Sequence, residues 1–205
     1  MATQLNGREL DAEAIASLQA RVRGAIIRPG DESYDAARAV YNGMIDRHPA
    51  LIVRCTDAGD VMAAVDFARE RGLPISIRGG GHSAAGLGVN DGGLVVDLSQ
   101  MRGVRVDPES RTARVQGGTT WAEVDHAAHA FGLATPSGFF SSTGVGGLTL
   151  GGGHGYLTRQ FGLTIDNLLE VDVVLADGSF VTANASQHPD LFWAVRGGGG
   201  NFGVV

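Results

Sequence analysis

Pro74-Ile75-Ser76-Ile77-Arg78-Gly79-Gly80-Gly81-His82-Ser83 is the stretch on which the reading of the chain turns. The short apolar run predicts a strand, and the glycines after it bring backbone N–H groups close to whatever lies against them. Glycine alone tolerates both positive φ and that contact distance. Such an N–H concavity suits an anion, typically a phosphate or diphosphate, and His82 holds one nucleophilic side chain at a fixed distance from it. The pattern predicts a nucleotide cofactor held by its diphosphate and tethered by His82. Over these residues alone, a tight turn followed by a surface histidine reads the same way.

Working outward, residues 50–55 read as a buried strand, and Asp57 as the N-cap of a helix over 60–71. The apolar face of that helix is Val61, Ala64, Val65 and Ala68, and Gly72 ends it. With strand 74–78 this has the layout of a right-handed β-α-β crossover. Further upstream, Leu10, Ala14, Ile15, Leu18 and Val22 share one face of a helix predicted over 9–22. Ile26-Ile27 reads as a short strand, Pro29-Gly30-Asp31 as a turn, and residues 36–40 as helical. Beyond the glycine loop the rhythm changes. Short strands are predicted at 94–98, 104–106 and 113–115, then a helix over 121–131. Strands 170–176 and 179–182 flank Asp177-Gly178, the signal of a type I′ hairpin. The expected fold is α+β, with a small parallel or mixed sheet in front and an antiparallel, hairpin-rich sheet behind.

Glycine makes up 32 of 205 residues, about twice the usual share of roughly 7%. The glycines are grouped at 79–93, 144–155 and 197–203 without a G-X-Y period, which suggests loops built around a ligand. The net charge of −6 disfavours a nucleic-acid partner. All 16 basic residues are Arg, so a Walker-type phosphate loop and a Schiff-base lysine are excluded. The single cysteine, Cys55, sits in a predicted core strand and leaves no internal disulfide or cysteine metal site; no metal is expected. Residues 1–8 are polar, and no stretch reaches the roughly 18 apolar residues of a membrane span. A soluble, cytoplasmic protein is expected. The chain stops at Val205 within an apolar run, which predicts the front part of a longer protein.

Residues 141–155, Ser-Ser-Thr-Gly-Val-Gly-Gly-Leu-Thr-Leu-Gly-Gly-Gly-His-Gly, are too rich in glycine for an ordinary helix. Each interior glycine costs about 0.5–1 kcal/mol relative to Ala. Backbone packed against a flat ligand would recover that cost; a crossover between close-packed elements is the other reading. Neither glycine cluster has the GxGxxG spacing of a dinucleotide-binding β-α-β fold.

Five segments together resemble the FAD-binding domain of the p-cresol methylhydroxylase and vanillyl-alcohol oxidase superfamily, and within it the berberine-bridge-enzyme-like FAD-linked oxidases. They are Arg78-Gly79-Gly80-Gly81-His82-Ser83, Val96-Asp97-Leu98-Ser99, Thr143-Gly144-Val145-Gly146-Gly147 with Gly151-Gly152-Gly153, the stretch 156–163 with Asp166-Asn167, and residues 190–203. The resemblance implies two α+β subdomains, about 31–100 and 101–205, after an N-terminal helix and lead-in over 1–30.

It also implies FAD joined through His82, with the diphosphate on Arg78, Gly79, Gly80, Gly81, His82, Ser83 and Gly86. The ring would lie against Thr143, Gly144, Gly147, Gly152 and Gly155, with Val204 also near. His154, among these glycines, is a candidate for touching flavin or substrate. Some relatives attach the flavin a second time through a cysteine whose position here is Phe140, so a single attachment is expected. The family's substrate domain and usual catalytic base would fall beyond residue 205. The implied activity is oxidation of an alcohol, sugar or amine carbon, with electrons passed to O₂ or another acceptor. A non-catalytic flavin-binding fragment and a noncovalent flavin reductase of the same domain type are the alternatives. His82 argues against the reductase, which needs no nucleophile there. Trp121 and Trp193 are expected in the core, and His126 and His129 on a solvated helix face.

Overall fold

A computed structural model describes residues 10–205. Helix α1 (Ala12–Gln19) is capped by Asp11, whose carboxylate accepts from the Ala14 N–H at 2.6 Å. It is shorter than the helix predicted over 9–22, whose first residue lies outside the described residues. Strand β1 (Ile26–Ile27), helix α2 (Tyr34–Arg38), strand β2 (Leu51–Arg54), helix α3 (Ala58–Arg71) and strands β3 (Ile75–Arg78) and β4 (Leu94–Asp97) follow. Asp57 caps α3 as its spacing predicts, accepting from the Asp60 N–H at 3.0 Å, and Gly72 ends it at φ 63°.

The sheet order is β1-β2-β4-β3, with β1 antiparallel to β2 and the other three strands parallel. Leu94–Asp97 is an interior strand inserted between the two strands of the β-α-β unit, neighbours that its apolar run alone does not specify. Its run Leu94-Val95-Val96 is buried on both faces, as a parallel strand covered on both sides requires. Alternate residues divide between two layers. Leu51, Val53, Leu94 and Val96 pack with Leu18, Val61, Ala64 and Phe67, whereas Ile52 and Val95 pack with Ile27, Tyr34, Ala37 and Val89.

The second half contains strands β5 (Val104–Asp107) and β6 (Thr112–Val115), helices α4 (Trp121–His129), α5 (Val145–Leu150) and α6 (Thr158–Phe161), strands β7 (Glu170–Val174) and β8 (Phe180–Asn184), and helix α7 (Pro189–Gly198). β5–β6 and β7–β8 are two separate antiparallel pairs among the described residues. Leu150 of α5 and Phe192 and Val195 of α7 pack on Val171, Val173 and Ala183 of the second pair. Val204 bridges back to Val174, and both valines join the main core.

Three expectations need correction here. The β7–β8 turn is not type I′, because of its two residues Asp177-Gly178 only Gly178 has positive φ (85°). The Gly178 N–H donates to the Leu175 carbonyl at 3.0 Å and the Leu175 N–H to the Ser179 carbonyl at 2.8 Å, a β-turn followed by a glycine bulge. Part of the second glycine cluster is helical after all: α5 includes Gly146 and Gly147, and tertiary packing overrides their poor propensity. Trp121 is buried, but Trp193 is 74% exposed. It neighbours the inward-facing Phe192 on α7, and one residue turns a helix by about 100°. His126 and His129 are exposed on α4, as expected.

Candidate functional site: a glycine-lined cofactor cleft

β3 delivers Arg78 to the start of the loop, where its guanidinium donates to the Ala37 carbonyl and ties the strand end to α2. No backbone N–H from Gly79 to Ser83 finds a protein acceptor among the described residues, although all five residues are half-buried. Gly81 lies at φ 70°, so the run curls on itself. Unpaired donors at such depth need another partner, and their arrangement suits an anion. Gly86 behaves differently. Its N–H is taken by the Ser83 carbonyl at 3.0 Å, and at φ 71° it turns the loop against Ile45. The Ser83 hydroxyl oxygen accepts from the Leu87 N–H at 3.2 Å.

The two glycine clusters meet backbone to backbone. A Cβ on Gly144 would come within 2.7 Å of the Gly80 Cα, and one on Gly80 would strike the Gly144 backbone in turn. A Cβ on Gly79 would lie 2.9 Å from the Gly117 carbonyl oxygen. Gly144 then serves as N-cap of α5, with Thr143 fixed by its N–H to the Phe140 carbonyl (3.1 Å) and its carbonyl to the Trp121 N–H (3.0 Å). A Cβ on Gly147 would meet nothing within 4 Å, so this glycine faces open space. Gly152 and Gly153 adopt φ 109° and 74°. Gly155 is buried against the Ser137 carbonyl and donates to Thr158 Oγ1 at 2.9 Å.

His82 stands beside this junction. It lines a half-open groove of about 460 Å³ with Tyr41, Asn42, Gly43, Ala84 and Phe140. Phe140 thus shares a groove with His82. The groove's other wall is the part that the motifs do not reveal: the Tyr41 ring stacks on the imidazole, with centroids 4.2 Å apart and planes 15° from parallel. An aromatic followed by Asn-Gly in an otherwise irregular stretch was the available signal. His154 is exposed and tilts against Phe139 at 5.6 Å; Phe139 also meets Tyr156 edge-on at 4.9 Å. Val204 stays outside the cleft's polar inventory. Its N–H and carbonyl both pair with Val174 at 2.9 Å and its side chain is in the core.

Four buried side-chain polar atoms lack a partner among the described residues: Thr119 Oγ1, Trp121 Nε1, Thr149 Oγ1 and Thr164 Oγ1. All belong to residues tied to the second glycine segment. Thr119 and Trp121 bond the backbone of Val145 and Thr143, Thr149 lies in α5, and Thr164 bonds Gly153. Asp97, fully buried at the end of β4, pairs with Arg54 at 3.3 Å and accepts from the Ser99 N–H at 3.0 Å, so its role is to tie together the C-terminal ends of β2 and β4 below the loop. Cys55 is buried and burial pushes its thiol pKa well up, so it is inert. The described residues contain no group of three metal-ligating side chains.

A protein-family model for an FAD binding domain matches residues 49–184. The chain belongs to the FAD-binding-domain family. It is 42% identical over 184 residues to (R)-6-hydroxynicotine oxidase of Paenarthrobacter nicotinovorans, covering 90% of this chain and 40% of that protein. The crystal structure of 6-hydroxy-D-nicotine oxidase from Arthrobacter nicotinovorans superposes with TM-score 0.88 and 42% identity, over 90% of this chain and 41% of that one. Glucooligosaccharide oxidase from Acremonium strictum, described as carrying a 6-S-cysteinyl, 8α-N1-histidyl FAD, matches with TM-score 0.86 and 36% identity, over 94% and 41%. The FAD-binding chain therefore spans about 40% of the length of the curated relatives it matches. The residues present fit FAD: free N–H groups for the diphosphate, and beside them a glycine face without side chains for a planar ring. Among the described residues no helix is long and apolar enough to cross a membrane.

Proposed function

We propose that this FAD-binding domain holds its cofactor across the junction of the two glycine segments and joins it covalently to His82 alone. The protein would use it to oxidise an alcohol, sugar or amine carbon of a small molecule, with O₂ or another acceptor taking the electrons. The observation that carries the reading is the backbone contact between Gly80 and Gly144, which joins the loop carrying the unpaired N–H groups of 79–83 and His82 to the start of α5, whose Gly147 faces open space. When bound, FAD supplies the acceptor for a hydride equivalent.

The chain's own residues bind and orient. The N–H groups of Gly79, Gly80, Gly81, His82 and Ser83 donate to the diphosphate, and Arg78 anchors the strand that presents them. Gly147 and Gly152 keep the ring face clear of side chains, and Gly144 lets the two segments close on each other. His82 restrains the ring edge, and Phe140, apolar and without a nucleophile, makes no second bond. His154 and Tyr156 stand on the exposed side of the second segment, where a substrate would approach. The likeness to a relative bearing a histidyl FAD supports the attachment.

Intact-mass measurement under denaturing conditions tests the reading. The wild-type protein should carry one FAD-sized increment, and His82→Ala none. An unmodified wild-type mass, or an increment that survives the substitution, would overturn the attachment.

A further inference from the structure

We propose that Tyr41 is the positioning residue for flavin attachment, its phenol ring holding the His82 imidazole in the plane that turns a ring nitrogen into the groove. The inference rests on His82 being the attachment residue. Neither His82 nitrogen has a hydrogen-bond partner among the described residues, so the stack on Tyr41 is the contact that fixes the ring. One backbone and one side-chain hydrogen bond hold the two segments of that stack together. The Tyr41 N–H donates to the Gly81 carbonyl at 3.1 Å, and Asn42 Nδ2 donates to the Ala84 carbonyl at 3.0 Å. Asn42 is itself set by accepting from the Met44 N–H at 3.1 Å. Residues flanking His82 are therefore tied to Tyr41 and its neighbour, and phenol and imidazole move as one unit.

The geometry suits nucleophilic attack. An imidazole lone pair lies in the ring plane, so the carbon it attacks must approach the edge. Tyr41 covers a face and leaves the edges open to the groove that Phe140 also lines. Edge-to-face aromatic pairs sit at roughly 4.5–7 Å, so a quarter turn of the imidazole would drive its edge into the phenol at the observed 4.2 Å. Without Tyr41, a histidine on a glycine loop samples three χ1 wells and a two-fold χ2, about six orientations. Attachment should then slow about sixfold or more, because only a ring already in contact geometry reacts.

In the attachment the imidazole N–C8α bond forms as the imidazole N–H and one C–H of the flavin 8-methyl break. The two protons and an electron pair pass to the flavin ring system. Dioxygen then removes them as hydrogen peroxide, restoring the oxidised ring.

The test is to incubate FAD-free protein with FAD in air and follow flavin fluorescence that survives denaturing electrophoresis over time. Tyr41→Phe should match wild type. Tyr41→Ala should attach flavin about sixfold or more slowly while binding the same amount before denaturation. In the FAD-free protein, the His82 ring-proton resonances should be shifted upfield by the stacked ring in wild type and Tyr41→Phe, and return toward random-coil positions in Tyr41→Ala. Three results would overturn the proposal: Tyr41→Ala attaching at the wild-type rate, Tyr41→Phe as slow as Tyr41→Ala, or Tyr41→Ala taking up no FAD at all. A His82→Ala arm separates the two levels. Covalent flavin persisting there removes the attachment residue itself, and Tyr41's role with it; its loss there alongside an unchanged Tyr41→Ala rate removes only Tyr41's role.

Discussion

Gly147→Ala should make the FAD-free domain more stable and at the same time a poorer flavin binder. Gly147 lies inside α5 with helical φ, and a Cβ there would meet nothing within 4 Å. Replacing an interior helix glycine by alanine stabilises by about 0.8–1 kcal/mol. For a chain of this size that raises Tm by about 2–4 °C. If the flavin ring packs against that face, the added methyl overpacks a contact that cannot yield, at about 1–3 kcal/mol. FAD should then bind about 5- to 150-fold more weakly, since 1.4 kcal/mol is a factor of ten. Gly80→Ala supplies the contrast. Its Cβ would strike the Gly144 backbone, so it should lower both stability and binding. Thermal unfolding by circular dichroism and FAD titration by fluorescence read the two effects; a His82→Ala background keeps binding reversible. Unchanged FAD affinity in a stabilised Gly147→Ala protein would show that the open face of α5 is not where the ring packs.

Asp60 is buried yet accepts from the N–H groups of Arg23, Gly24 and Thr56 and from the Thr56 hydroxyl at 2.7–3.1 Å. Burial alone would raise its pKa, but these hydrogen bonds outweigh it and hold the carboxyl below its ordinary value. Its contribution is therefore full above about pH 4, the unfolded carboxylate range, and is lost as pH falls through the depressed folded value. Asp60→Ala should cost about 3 kcal/mol or more near neutral pH, since hydrogen bonds to charged groups contribute roughly 1.5–3 kcal/mol each. The wild-type-to-mutant gap in urea unfolding should narrow below pH 4; a gap constant with pH would refute the assignment. Cys55 should resist alkylation by iodoacetamide at pH 8 until the protein is unfolded, and mass spectrometry of the native protein should find it unmodified. Prompt labelling would show that the sheet opens locally.

The residue pattern made β3 and its loop legible because a strand, a glycine run and a histidine are contiguous and each carries its own local signal. The cap at Asp57 and the stop at Gly72 were legible for the same reason. The place of β4 was not, since a run such as Leu94-Val95-Val96 says that a strand is buried without naming its neighbours. Tyr41 was hidden by distance along the chain. It and His82 lie on irregular segments, where no periodicity predicts contact, and only the fold brings them together. The Gly80–Gly144 junction lies between. Each glycine cluster announces a close approach, but that they approach each other depends on the packing of α5 against the loop.

Amide hydrogen exchange of the His82→Ala protein, with and without added FAD, tests most directly whether the two glycine segments form one cofactor site. FAD is expected to slow exchange together in peptides covering 79–83, whose donors have no acceptor among the described residues, and 144–147, and to leave the exposed hairpin β5–β6 unchanged. Bound FAD that protects neither segment, or only one of them, would contradict a shared site.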